Sequence, residues 1–151
     1  MKVSAFALIS TLLILSGCST TQDILLAKSN PTRAVQTIAR STGDSDAADM
    51  NKNVDDAFAA QGIQVKAVLP PETRKSPDVD AIYVYSDQWQ WDLVMYLRAL
   101  SINIFDAGSG DLLITGNWRN STFHGFRDSR EVSHKLVADM IAKLRAAPNQ
   151  K

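Results

Sequence analysis

Cys18 is the only cysteine among 151 residues, and its neighbours suit processing chemistry. Ser16 and Gly17 are small enough to let a peptidase approach the backbone. The thiol that follows is a nucleophile that can carry a lipid thioether. Upstream, Lys2 supplies a positive start, and Val3 to Leu15 form an apolar run broken only by Ser4, Ser10 and Thr11. That run is shorter than the roughly 20 apolar residues a bilayer span needs. A charged start, a short apolar stretch and small residues before a cut are the features of an export leader. The competing explanation is an ordinary leader with a chance cysteine.

The second group with chemical potential is aromatic: Tyr83, Tyr85, Trp89, Trp91 and Tyr96. Tyr83 and Tyr85 share one strand face, and Trp89 and Trp91 share one if that stretch is extended. Exposed beside Asp87, Gln88 and Asp92, such rings stack on sugars or anchor a protein partner. Peptidoglycan is the local glycan in a cell envelope. Against this stands plain sheet packing, which aromatic residues also do well.

The remaining candidates carry less. His124 can be drawn with Ser121 or Ser129 as nucleophile and Asp128 as orienting acid. Triads, however, are spatial constellations and not local strings, and no Gly-x-Ser-x-Gly elbow is present. His134 falls early in the last predicted helix. No H-E-x-x-H or H-x-x-E-H spacing offers a metal site, and Asp106 to Asp111 lacks the alternating ligands and final Glu of a calcium loop. Gly108-Ser109-Gly110 leads into a strand and not a helix, so it is no phosphate cradle. Arg119, Arg127, Arg130 and Lys135 cluster near the last helix, interleaved with Asp128 and Glu131 as on a solvated surface.

Leu15-Ser16-Gly17-Cys18, closing its leader, resembles the lipobox of bacterial lipoproteins. The resemblance implies a signal peptide over 1–17, cleavage before Cys18, diacylglycerol on its sulfur and an acyl group on the new amino terminus. One acyl chain binds a membrane only marginally, and several make an effectively permanent anchor. Ser19, where an Asp would retain the protein at the inner membrane, implies the outer membrane, with the domain facing the periplasm. No other cofactor is implied, and the membrane and an envelope protein are the expected partners.

Sixteen basic and sixteen acidic residues cancel, so no global basic field exists for nucleic acid. With Cys18 lipidated, the domain has no thiol for a disulfide or a cysteine zinc site. Stability then rests on packing, which a chain of this length can supply.

The elements follow from periodicity. Cys18 to Ser29 reads as a lipidated tether, with Ile24-Leu25-Leu26 able to dock on the domain or lie at the membrane surface. A single domain then spans 30–151. Asn30-Pro31 suits a helix start, with Ala34, Val35 and Ile38 on one face. A second helix carries Ala47, Met50, Val54, Ala57 and Phe58 and ends before Gly62. Ile63 to Leu69 alternates as a strand, and Asp78 to Ser86 gives another. Ser86-Asp87-Gln88 has turn character. From about Trp91 to Phe105 a long strand changes phase, which predicts a bulge near Arg98-Ala99. Asp106 to Asp111 makes a hairpin loop into Leu112–Trp118. The last helix starts near Asp128 or Ser129 and buries Val132, Leu136, Val137, Met140, Ile141 and Leu144.

This order predicts an α+β two-layer sandwich, an antiparallel or mixed sheet with a long hairpin, covered by helices. Element order from Asp46 to Arg145 also resembles small periplasmic domains of envelope lipoproteins, of the curli-secretion lipoprotein and TolB amino-terminal type, which implies a docking or assembly role. The expectation is a non-enzymatic binding or assembly module of an envelope complex. The alternatives are a glycan-binding module using Tyr83, Tyr85, Trp89 and Trp91, and, more remotely, a hydrolase using His124.

Overall fold

The computed structural model describes residues 20–43, 48–121 and 126–147; Cys18 and His124 lie outside them. The chain is α+β. Strands β1 (Thr21–Leu26), β2 (Thr37–Ser41), β3 (Gln64–Leu69), β4 (Ala81–Asp92), β5 (Val94–Asp106) and β6 (Leu112–Arg119) form one mixed sheet in the order β1-β6-β5-β4-β2-β3. Helices α1 (Ala48–Ala60) and α2 (Ser129–Ala146) pack on each other and on the sheet. Their apolar stripes, including Met50, Val54, Phe58, Leu136, Val137 and Met140, close a core with Ile38, Tyr83, Leu100, Ile102, Ile104 and Ile114.

The exit of α1 and the start of α2 fall where local chemistry directs. Gly62 takes φ 74° after α1, the left-handed conformation a helix exit favours in glycine. The Asp128 carboxylate accepts from the amides of Arg130 and Glu131 at the start of α2, an N-cap that satisfies two orphan donors. The phase change in β5 is a bulge at Arg98. Gln88 faces Ala99, and the next residue, Trp89, faces Leu97. One extra residue keeps Leu97 on the helix side with Leu100, Ile102 and Ile104.

Three expectations are corrected. No helix follows Pro31: Thr37–Ser41 is a strand running parallel to both β3 and β4. Two carboxylates hold the segment before it open. Asp106 accepts from the Thr32 amide at 2.6 Å, and Asp80 accepts from the Thr37 amide at 2.8 Å and pairs with Arg33 at 2.6 Å. These bonds replace the few a two-turn helix would make. The tether also ends early. Thr21–Leu26 pairs antiparallel with β6, Thr21 opposite Arg119 and Leu26 opposite Ile114, because Ile24 gains burial against the core. Thr21–Leu26 is therefore part of the sheet and not of a free tether. Finally, Ser86-Asp87-Gln88 is no turn. β4 runs on to Asp92, and the chain reverses at Leu93.

Candidate functional site

The reversal at Leu93 gives the molecule its most distinctive surface. From Trp89 to Met95 the β4–β5 hairpin runs beyond the last rows in which β5 meets β6. Near the base of this arm the Asn120 amide donates to the Arg98 carbonyl at 2.9 Å, and Tyr96 meets Phe126 edge-on at 5.3 Å. Further out, β4 and β5 have only each other. Register puts Trp89 opposite Leu97 and Trp91 opposite Met95 on one face, with Gln90 opposite Tyr96 and Asp92 opposite Val94 on the other. Trp89 is 41% exposed, Trp91 70%, Met95 57% and Leu93 85%. Contiguous apolar exposure of this kind marks an interaction site.

The aromatic group is thus split. Trp89 and Trp91 stand on the arm, whereas Tyr83 and Tyr85 are buried and cannot form a sugar platform. Their odd-numbered positions in β4 face α1. Tyr83 packs on Phe58 at a ring separation of 4.7 Å and donates its hydroxyl to Asp55. The Tyr85 hydroxyl donates to the Asn51 carbonyl oxygen at 2.8 Å. Buried hydroxyls need such partners, and helix α1 supplies both. Burial first, and then Asp55, push the Tyr83 phenol well above its ordinary pKa. Asp55 also pairs with Arg40 at 2.9 Å, so β2, α1 and β4 meet at one polar node at the border of the core.

Sequence reasoning missed a second node at Asp106, which is fully buried. It accepts from the Thr32 amide and hydroxyl and from the amides of Gly108 and Ser109, at 2.6 to 3.2 Å. Burial alone would raise its pKa. The donors from Ser109, Thr32 and Gly108 outweigh burial and hold the carboxyl below its ordinary value. Asp80 behaves likewise: burial raises it, and the Thr37 hydroxyl and amide, the Gln36 amide and Arg33 bring it lower. These two acids fasten loops. The signal for Asp106 lies in the sequence, since an acid leading Ala-Gly-Ser-Gly is the pattern of a side chain that bonds its own turn.

The sheet face away from the helices is polar along β5 and β6, while its β2–β4 end carries a small buried cluster of Ala39, Val79, Ile82 and Ala107. The Ser101 hydroxyl donates to Asn117 and the Thr115 hydroxyl to Asn103, each at 2.7 Å. A shallow groove of about 340 Å³ crosses it beside Thr21, Ser86 and Ser101. His134 is half-buried on α2. Among the described residues no group of three or more His, Cys, Asp or Glu could hold a metal ion, and no helix is long and apolar enough to cross a membrane.

The two sheet edges are β1 and β3. On β1, Leu25 is 64% exposed and Leu26 also faces solvent, while Lys143 caps the Ile24 carbonyl at 2.5 Å. On β3, Lys66 sits at the bulge where register shifts, and Pro70-Pro71 follows the strand. Lysine and proline are the usual guards of an edge. β1 has its lysine at one carbonyl only.

No protein-family description and no curated relative matches the chain. Solved structures do share its architecture. The PelC dodecamer from Paraburkholderia phytofirmans superposes with a TM-score of 0.55 at 13% identity, over 85% of this chain and all of that one. A point variant of that dodecamer gives 0.55 at 11% identity, over 86% of this chain and again all of the other. At such identities the likeness is one of fold.

Proposed function

We propose that this protein is a lipoprotein anchored through Cys18 to the periplasmic face of the outer membrane, and that its two-layer α+β sandwich is a non-enzymatic binding and assembly module. The observation that carries the docking role is the free edge strand β1 with Leu25 and Leu26 exposed on it. An unpaired edge offers main-chain donors and acceptors to an added strand, and flanking side chains give that strand specificity. A dodecamer built from a chain of the same fold is compatible with this use.

The test is made in intact envelopes. With its thiol lipidated, Cys18 leaves Leu25→Cys as the single free sulfhydryl, and crosslinking from it will trap a discrete higher-mass species. Leu25→Lys with Leu26→Lys will reduce recovery of that species at least about tenfold, since burying one leucine contributes about 1.5–3 kcal/mol. Equal recovery from the lysine variant would rule out the β1 edge as the docking surface. Sedimentation with purified peptidoglycan that is lost in Trp89→Ala/Trp91→Ala would instead favour the glycan-binding alternative.

A further inference from the structure

The register of the sheet fixes where the anchor and the arm lie relative to each other. Thr21 pairs with Arg119, Arg119 with Ala99, and Ala99 with Gln88. The chain therefore enters the sheet from Cys18 at the same end from which the arm projects. From the row of Thr21, β4 continues five residues to Leu93, about 17 Å at strand rise. From Thr21 back to Cys18 is three residues, a reach of at most about 10 Å. The arm is longer than the leash. A membrane that holds Cys18 lies within the arm's span.

The arm is built for such a surface. Its end presents Trp89, Trp91, Leu93, Val94 and Met95, all exposed, and tryptophan favours the membrane–water interface, where one edge of the ring is wet and the other apolar. Leu93 adopts φ 59°, a left-handed conformation that costs an L-residue about 1–2 kcal/mol. Glycine would make the same turn without that strain, and the exposed leucine side chain contributes nothing to the core. Exposed Arg119 and Arg127 stand at the same end of the sheet, where phospholipid phosphates would lie. We propose that the β4–β5 arm inserts Trp91, Leu93 and Met95 into the headgroup–acyl boundary of the membrane that carries the Cys18 anchor, so that lipid and arm together set the orientation of the domain. This rests on the lipoprotein reading above.

The test uses the mature lipidated chain reconstituted into phosphatidylethanolamine/phosphatidylglycerol vesicles, with or without lipid brominated on its acyl chains. Flotation and the mass of the Cys18 peptide report the anchor, and tryptophan emission reports the arm. Of the three tryptophans, Trp118 is buried in the core and serves as internal reference. Wild type will float and lose about half of its emission to brominated lipid, as burial of an apolar tip by 5–10 Å demands. Aqueous iodide will reach Trp91 less than it does in the vesicle-free protein. Leu93→Asp will float equally but lose most of that quenching, and Leu93→Gly, which relieves the backbone, will keep the fold while weakening it. Flotation with no quenching by brominated lipid would overturn the arm and leave the anchor standing. Failure to float, with an unmodified Cys18 peptide, would overturn both. Protection of Trp91 from both quenchers in whole envelopes alone would assign the arm to a protein and overturn its lipid contact.

Discussion

Replacing Asp106 with asparagine will lower the unfolding free energy by about 3 kcal/mol and the melting temperature by about 10 °C. The carboxylate is fully buried and receives the amides of Thr32, Gly108 and Ser109 together with the Thr32 hydroxyl. Asparagine keeps one acceptor oxygen and turns an amide group towards donors that then have no partner, which is the costly half of breaking a buried hydrogen bond. The same residue shapes the acid response. Its folded pKa lies below the ordinary aspartate value, so its contribution is present above the unfolded pKa, about 3.9. That contribution is lost as pH falls through the lower folded value. Asp80 carries the same sign. Urea midpoints measured from pH 6 down to pH 3 will fall below about pH 4 in wild type, and less steeply in Asp106→Asn. A variant as stable as wild type at pH 7 would show that Asp106 does not fasten the Thr32 segment to the β5–β6 turn.

Gly116→Val will destabilise the domain by about 3 kcal/mol, for a steric reason. Gly116 lies in β6 opposite Ile24 and Ile102, beneath α2. A Cβ there would stand 2.3 Å from the Met140 sulfur, 2.8 Å from its Cγ and 3.1 Å from a Leu136 methyl. Met140 is fully buried, so its side chain can give way only by displacing its packed neighbours. The close seat of α2 on the sheet therefore depends on the missing side chain. Met140→Ala alone opens a cavity and costs about 2–5 kcal/mol. Combined with Gly116→Val, the new side chain fills part of that space, and the double variant will be about 1–2 kcal/mol more stable than the two losses predict. Additive losses in urea melts of the four proteins would mean that α2 is displaced bodily and that the contact is not the cause.

Helices, caps and bulge were legible because each follows from local chemistry. Gly62 marks the end of α1, Asp128 caps α2, and the shift from the Met95–Leu97 phase to the Leu100–Ile102 phase points to a bulge near Arg98-Ala99, which the register puts at Arg98. β2 was not legible, since its five residues pair in parallel with strands distant in sequence, while Asn30-Pro31 mimics a helix cap. The tyrosines and tryptophans of β4 share one alternation. Which of them is buried depends only on how far the helices extend over the strand. The turn was misplaced because its chemistry is inverted. Polar Ser86-Asp87-Gln88 continues the strand, and apolar Leu93 makes the reversal. Local rules fail most often where a residue serves something other than the fold, which is the role proposed above for the arm.

The pairing of β1 with β6 has a consequence in time. The first strand of the domain finds its place only beside one of the last, with Thr21 waiting for Arg119. Gln22 further waits for Asp139 of α2, whose carboxylate accepts from its side-chain amide at 2.7 Å. Contacts so far apart in sequence form slowly, and a chain emerging amino terminus first cannot close this sheet until nearly all of it has been made. Until then Thr21–Leu26 has no partner strand to join. Seating of the first strand is therefore one of the last events in the folding of the domain.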